Sequence, residues 1–191
     1  MYASISERLR TLGRKARRPL VAALFLAPAL SLAVAPLADP VIAQSGPSPQ
    51  DFKAPVKRVF YNIPSGPGQA DPYSSAIIVS GTRGNIIDVN VKLIGLTHGR
   101  TGDVSVELTH PTGRTVVLMR GAGTGALTDA TLVFDDDAVP LPAAGTISPG
   151  RYEPTDFGAG APFGSPAPDP TDPLLEAFNG LGANLEWRLY V

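Results

Sequence analysis

Residues 102–119, which read GDVSVELTHPTGRTVVLM, form the stretch of the chain that decides its fold class. Val104, Val106 and Leu108 alternate with polar residues, which is the period-two pattern of a strand with one face in a core. The next four residues, at 110–113, carry Pro at the second and Gly at the fourth position of a tight turn. A second apolar run follows this turn. The stretch therefore predicts two half-buried strands joined as a hairpin.

The same alternation recurs along the chain and predicts an all-β domain. It is clearest over residues 85–96, where Ile87, Val89, Val91 and Leu93 share one face. Short strands separated by Gly- and Pro-rich turns are typical of a β-sandwich or jelly roll, here of about eight antiparallel strands. The other predicted strands are Arg58–Ile63, Ser75–Val79, Asp103–Thr109, Arg114–Met119, Thr131–Phe134, Arg151–Glu153 and Leu185–Val191.

The N-terminal residues have the organisation of a signal peptide spanning residues 1–43. A basic region at residues 8–18 precedes an apolar run at residues 20–38, and Val41-Ile42-Ala43 offers a cleavage site before Gln44. Two prolines in the apolar run disfavour the alternative, a retained membrane anchor. We therefore predict a secreted or periplasmic protein with no membrane segment after cleavage.

The remaining chain divides into a Pro-rich spacer, residues 44–57, and one domain, residues 58–191. From residue 44 onward there are 10 Lys/Arg and 15 Asp/Glu, a net charge of −5. A mildly acidic domain lacks the basic surface that binds nucleic acid or anionic lipid. The chain has no cysteine, which excludes disulfides and thiolate chemistry.

Short motifs follow one another in a characteristic order between residues 60 and 191. They are Asn62-Ile63-Pro64, Ser80-Gly81, Ile87-Asp88-Val89, Gly102-Asp103, Pro111-Thr112-Gly113, Phe134-Asp135-Asp136, Gly150-Arg151-Tyr152-Glu153-Pro154 and Phe178-Asn179-Gly180. On these motifs the chain resembles the P domain, the β-sandwich that follows the catalytic domain of kexin- and furin-like proteases, in its bacterial secreted form. Similar modules continue past the strand containing Trp187, so the domain is expected to lack its last strand.

The resemblance implies a non-catalytic module with a structural, stabilising or interaction role, because the protease catalytic domain is absent from the sequence. His98 and His110 are the available histidines, and no Gly-x-Ser-x-Gly motif occurs. Two alternatives stay open: an accessory part or fragment of a subtilisin-like serine endopeptidase, and a carbohydrate or cell-surface adhesin module. The expected partner is a protease catalytic domain or a cell-surface molecule, and nucleic acid is not expected.

Calcium is the cofactor that the sequence suggests, although the predicted role requires no cofactor. Asp135 and Asp137 follow a predicted strand at alternate positions, so both carboxylates can point toward one oxygen-ligand site. Calcium sites occur in proteases that contain a P domain. The alternative is a loop whose acids accept hydrogen bonds from backbone N–H groups. The glycine-rich residues 121–125 lack the lysine of a phosphate-binding loop and predict a hairpin turn.

Aromatic residues mark a second candidate site: Tyr61, Tyr73, Tyr152, Phe157, Phe163 and Tyr190. The chain also has a long Pro- and Gly-rich stretch at residues 138–173. Tyr152, Phe157 and Phe163 fall in or near this stretch, where ligand-binding side chains are often found. Their rings can line a sugar- or peptide-binding face, or they can fix the loop to the domain.

Overall fold

The computed structural model describes residues 2–7, 50–53, 68–159 and 162–191, the first two ranges as backbone. The described residues are organised mainly as strands, and the predicted all-β class is confirmed. Two short 3-10 helices occur, at Thr101–Asp103 and Leu175–Phe178. The strands are β1 (Tyr2–Glu7), β2 (Gln50–Lys53), β3 (Ser75–Val79), β4 (Val89–His98), β5 (Val106–Thr109), β6 (Thr115–Arg120), β7 (Leu127–Pro140), β8 (Gly150–Glu153), β9 (Thr155–Asp156) and β10 (Leu185–Tyr190).

The strands form two five-stranded sheets. The first has the order β2-β1-β4-β7-β8 and the second the order β3-β10-β5-β6-β9. Most neighbours are antiparallel, but β7 pairs with β8 and β6 pairs with β9 in parallel. The prediction that all pairs are antiparallel is therefore wrong for these two pairs, and the described residues contain ten strands where about eight are predicted. The parallel pairs arise because β8 and β9 return to the sheets after a long connection rather than a tight turn.

Both sheets contribute to one hydrophobic core. Alternate residues of their strands are fully buried, as the period-two pattern requires. The first sheet provides Val91, Leu93, Leu132 and Phe134, and the second provides Ile77, Leu108, Leu118 and Trp187. Burying apolar side chains from two layers in one cluster is the main favourable contribution to folding.

The hairpin predicted from residues 102–119 is present as β5 and β6. The Gly113 amide donates to the His110 carbonyl oxygen at 2.8 Å, and the His110 amide donates to Arg114 O at 2.8 Å. Gly113 has a φ of +92°, which a residue with a side chain adopts only under strain. Strand β5 begins later than predicted, because the Thr101–Asp103 turn precedes it.

Strand β7 differs most from its prediction, which ended it at Phe134. It continues through the acidic run to Pro140 and is 14 residues long. Its continuation lies beside β8, with Phe134 and later Val139 opposite Tyr152 across a register shift. Residues 121–125, predicted as a hairpin turn, instead connect β6 in the second sheet to β7 in the first.

The chain termini contribute strands to different sheets. Tyr2–Glu7, within the predicted signal peptide, pairs with both β2 and β4, and Gln50–Lys53 lies within the predicted spacer. The apolar run at 20–38, the cleavage site and the predicted strand Arg58–Ile63 lie outside the described residues, so the signal peptide stays a prediction. Strand β10, which carries Trp187, is paired on both sides, by β3 and β5.

Candidate functional site

Residues 162–173, called here the covering segment, lie over the outer face of the second sheet. At one end the Thr171 amide donates to Thr115 O at 3.0 Å, and the Thr115 amide donates to Thr171 Oγ1 at 2.9 Å. At the other end the Tyr73 hydroxyl donates to Gly164 O at 2.8 Å. Asp172 forms an isolated parallel bridge with Val116 of β6, and the other attachment, at Tyr73, lies just before β3.

A carboxyl group lies buried on this covered face. Glu107 alternates with the core residues of β5, stands opposite Val117 and Tyr190, and is 0% exposed. Neither carboxylate oxygen has a hydrogen-bond partner among the described residues. Burial raises the pKa of Glu107 to about 7, while Arg120 lowers that pKa and Asp169 of the covering segment raises it.

The nearest cation is committed to another carboxylate. Arg120 Nε donates to Asp156 Oδ1 at 2.7 Å, and a second guanidinium nitrogen contacts the other oxygen of Asp156. The guanidinium also lies 5.8 Å from the ring centroid of Phe163 in the covering segment. The bond to Asp156 raises the pKa of Arg120 and lowers the pKa of Asp156. Arg120 therefore moderates the charge of Glu107 at a distance without pairing with it.

A cleft of about 360 Å³ opens beside the covered face. Half-buried aromatic rings of Tyr73 and Phe163 form part of its walls, and the Tyr73 ring packs edge-on against Tyr190 at 5.2 Å. Ser105, which lines the cleft, precedes Glu107 by two residues. The complete lining is Gly68, Gln69, Tyr73, Asp103, Val104, Ser105, Pro162, Phe163, Gly164 and Val191.

His110 lies at the turn of the hairpin, where its side chain is buried, and its contacts are those of a structural residue. It is 2% exposed, and its ring packs edge-on against Trp187 at 4.6 Å. Nε2 donates to Gly182 O at 3.0 Å, because a carbonyl oxygen can only accept. Nδ1 then accepts from the Thr112 amide, at 3.1 Å. Burial lowers the pKa of His110, so the neutral ring is favoured.

His98, the other histidine named as a candidate, belongs to a local turn. Its Nδ1 lies 2.7 Å from Arg100 O, and the Arg100 amide donates to the same nitrogen at 3.2 Å. The structure therefore places His98 and His110 in separate backbone turns, each with contacts two residues along the chain.

The acidic run at the proposed calcium site makes protein contacts. Asp135 Oδ2 lies 3.0 Å from Arg151 Nη1, and Asp135 Oδ1 accepts from the Asp137 amide at 2.9 Å. Asp136 accepts from the amides of Leu175 and Glu176 at 2.9 and 2.6 Å, which caps the second 3-10 helix. These contacts fit the alternative of acids that bind backbone N–H groups. No group of three or more potential metal ligands occurs among the described residues, and the calcium site at Asp135 and Asp137 stays a prediction.

Phe163 lines the cleft, whereas Tyr152 and Phe157, the other candidate aromatic residues of the 138–173 stretch, lie elsewhere. The Tyr152 hydroxyl donates to Ser148 O at 2.9 Å and its ring packs against the core, while Phe157 is exposed beside the Arg120 backbone. Sequence reasoning missed Glu107 because strict alternation assigns it to a solvent-facing side. The sequence feature that could have indicated its burial is the long Pro- and Gly-rich stretch, which is long enough to fold back over a sheet.

In comparisons with known proteins, no family model, curated protein or solved structure matches the chain. In the part of the chain that the structure describes, there is no helix with the length and apolarity needed to span a bilayer.

Proposed function

We propose that this protein is an exported, non-catalytic interaction module of the P-domain-like kind, which recognises a protein partner through the cleft beside the covering segment. The observation that carries the proposal is the cleft itself. Its walls combine apolar side chains, among them Val104, Phe163 and Val191, with polar groups of Gln69 and Ser105. Such a mixture of apolar surface and a few polar groups is typical of binding sites.

The cleft favours an apolar side chain of a polypeptide over a sugar. Tyr73 and Phe163 are half-buried, and Tyr73 is held by its hydroxyl bond to Gly164 and by its edge-on contact with Tyr190. A sugar-binding platform needs a flat and exposed aromatic face, whereas a gap between partly buried rings suits an aliphatic or aromatic side chain.

The contacts of the histidines support a non-catalytic role. The Nε2 atom of His110 is engaged by Gly182 O, so this nitrogen is not free to act as a general base toward a serine. Serine-inhibitor-sensitive cleavage of peptides by the purified full chain would contradict the proposal and would favour the alternative, part of a subtilisin-like protease.

Selection of binding peptides from a random displayed library tests recognition. We expect selected peptides to share a large apolar residue and to bind the Phe163→Ala variant at least about fivefold more weakly, since loss of an anchor pocket costs more than about 1 kcal/mol. Phe157→Ala is the matched control, because Phe157 is an exposed phenylalanine outside the cleft. Failure to select any peptide, or glycan-array binding that Phe163→Ala abolishes, would contradict the protein-partner proposal.

Export is tested by the intact mass of the native protein. A mass equal to that of Gln44–Val191, recovered outside the cytoplasm, supports signal cleavage. A mass that includes residues 2–7 contradicts cleavage and would fit β1 as a permanent member of the first sheet.

A further inference from the structure

We propose that the protonation state of Glu107 controls the covering segment, and through it the cleft: the neutral carboxyl keeps the segment seated, and the ionised carboxylate loosens it. The inference rests on the proposed function for its biological meaning. The movement of the segment can be measured without any ligand.

The first step concerns the cost of charge at this position. Glu107 is fully buried and lacks a hydrogen-bond partner for either oxygen among the described residues. An isolated carboxylate in such a site is far more costly than a neutral carboxylic acid, because neither water nor a donor replaces its hydration. Ionisation therefore favours any conformational change that brings water to this side chain.

The second step identifies the element that can move. Glu107 lies on a strand that is hydrogen-bonded on both sides, by β6 and β10, so the strand itself is fixed. Hydrogen bonds hold the covering segment at residues 164–165, to Tyr73 and Gln69, and at residues 171–172, to Thr115 at the start of β6, where Asp172 also forms a single bridge with Val116. A segment with few backbone hydrogen bonds opens locally at lower free energy than a sheet strand does.

The charged and titratable groups around Glu107 point in the same direction. Arg120 on β6 is the neighbouring cation, but it is paired with Asp156 of β9. Asp169, on the covering segment, is a like charge, and it repels the ionised carboxylate. Burial raises the pKa of Tyr73, so its phenol is neutral near neutral pH, and Tyr190 on β10 stands opposite Glu107. The segment thus carries the group that repels an ionised Glu107.

The third step connects the segment to the cleft. Phe163 and Gly164 belong both to the segment and to the cleft wall, and Gly164 O accepts the Tyr73 hydroxyl bond across that wall. Loosening of the segment therefore widens or dismantles the cleft. With a pKa of about 7 for Glu107, the change falls in the neutral range, where exported proteins meet varying pH.

Hydrogen exchange of the full chain, measured by NMR at about pH 5.5 and about pH 8.5 and corrected for intrinsic exchange, tests the inference. The amides of Thr171 and Asp172, which are bonded to Thr115 O, report on the segment. We expect their protection to fall by about tenfold or more at the higher pH, while the hairpin amide of Gly113 is unchanged. A parallel carboxyl titration should place the Glu107 transition in the same range.

Two variants separate this mechanism from general loosening. Glu107→Gln should keep protection high at both pH values, and Asp169→Asn should reduce the change without perturbing the buried site, since Asp169 is exposed. Glu186→Gln, an exposed glutamate on neighbouring β10, is the control and should behave as wild type. Equal protection of the wild-type segment at both pH values would overturn the inference, and so would an unchanged pH response in both Glu107→Gln and Asp169→Asn. Neither result would bear on whether peptides bind the cleft.

Discussion

Glu107 and His110 lie three residues apart on the same hairpin, and both are almost completely buried, yet their surroundings are opposite. His110 has a partner for each ring nitrogen and packs against Trp187. Glu107 has no hydrogen-bond partner for either oxygen among the described residues. Burial alone therefore does not define the role of a titratable group. A buried group with partners stabilises the fold, whereas one without partners leaves a free-energy cost that a conformational change can relieve.

The two groups also link stability to pH with opposite signs. The pKa of Glu107 is raised from 4.5 to about 7, so the folded protein binds more protons than the unfolded chain between these values, and stability falls as pH rises through them. The pKa of His110 is lowered below 6.5, so the unfolded chain binds more protons, and stability falls as pH drops below that value. Substituting Glu107 should remove its contribution to the loss of stability at higher pH, and substituting His110 should remove its contribution to the loss at lower pH.

The largest effect is expected for His110→Ala. The change removes the packing on Trp187 and leaves Gly182 O without its side-chain donor, so the free energy of unfolding should fall by about 2–4 kcal/mol. Urea denaturation near neutral pH measures it, with His98→Ala as control, for which a change below about 0.5 kcal/mol is expected. A similar loss in both variants would show that the partners of His110 do not distinguish it.

Glu107→Gln should stabilise the protein at alkaline pH by on the order of 2–3 kcal/mol, because it removes the cost of the buried charge. At about pH 4.5 the wild-type carboxyl is neutral and the variant should match it within about 0.5 kcal/mol. Urea denaturation at both pH values gives the comparison, and Glu186→Gln on the exposed face is the control. A destabilised Glu107→Gln protein at alkaline pH would mean that the carboxylate has a stabilising partner.

The sequence predicted the His110 half of this comparison better than the Glu107 half. Turn chemistry and alternation are local, so the hairpin, the boundaries of β3 and the final strand could be read from residues close in sequence. The surroundings of Glu107 include Asp169, which raises its pKa and lies more than 50 residues away in a segment with no periodicity. Local patterns carry no information about which segment returns to cover a sheet.

The acidic run shows the same limit from the other direction. Asp has low strand propensity, so the prediction ended the strand at Phe134. Strand β7 continues because β8 supplies a parallel partner and Arg151 lies against Asp135. Tertiary pairing overrides propensity here, and it also replaces a solvated acidic loop with an ordered strand.

Arg120→Met should have an intermediate effect that sharpens the comparison. Loss of the two-point contact with Asp156, which is only partly exposed, should cost about 1 kcal/mol in the free energy of unfolding. Because Arg120 lowers the pKa of Glu107, the variant should also raise that pKa, which a carboxyl NMR titration measures.

Arg114→Met, at an exposed ion pair with Asp172, is the control for the loss of one surface cation. An unchanged Glu107 titration in Arg120→Met would show that Arg120 does not moderate that charge.

The smallest effect is expected for Arg151→Ala, because Arg151 pairs with Asp135, a carboxylate that, unlike Glu107, has a cationic partner. Asp135 is nearly buried but Arg151 is half exposed, so solvent screening should limit the loss in the free energy of unfolding to about 0.5–1 kcal/mol, measured by urea denaturation without calcium.

The calcium hypothesis can be tested on the same variant, because Arg151 competes with a cation for Asp135. If Asp135 and Asp137 bind calcium, millimolar CaCl2 should raise the Tm of Arg151→Ala more than that of wild type, and Asp137→Asn should cancel the increase. Equal Tm values with and without calcium in all three proteins would reject the site and leave the Arg151 pair as the sole counter-charge of Asp135 among the residues described.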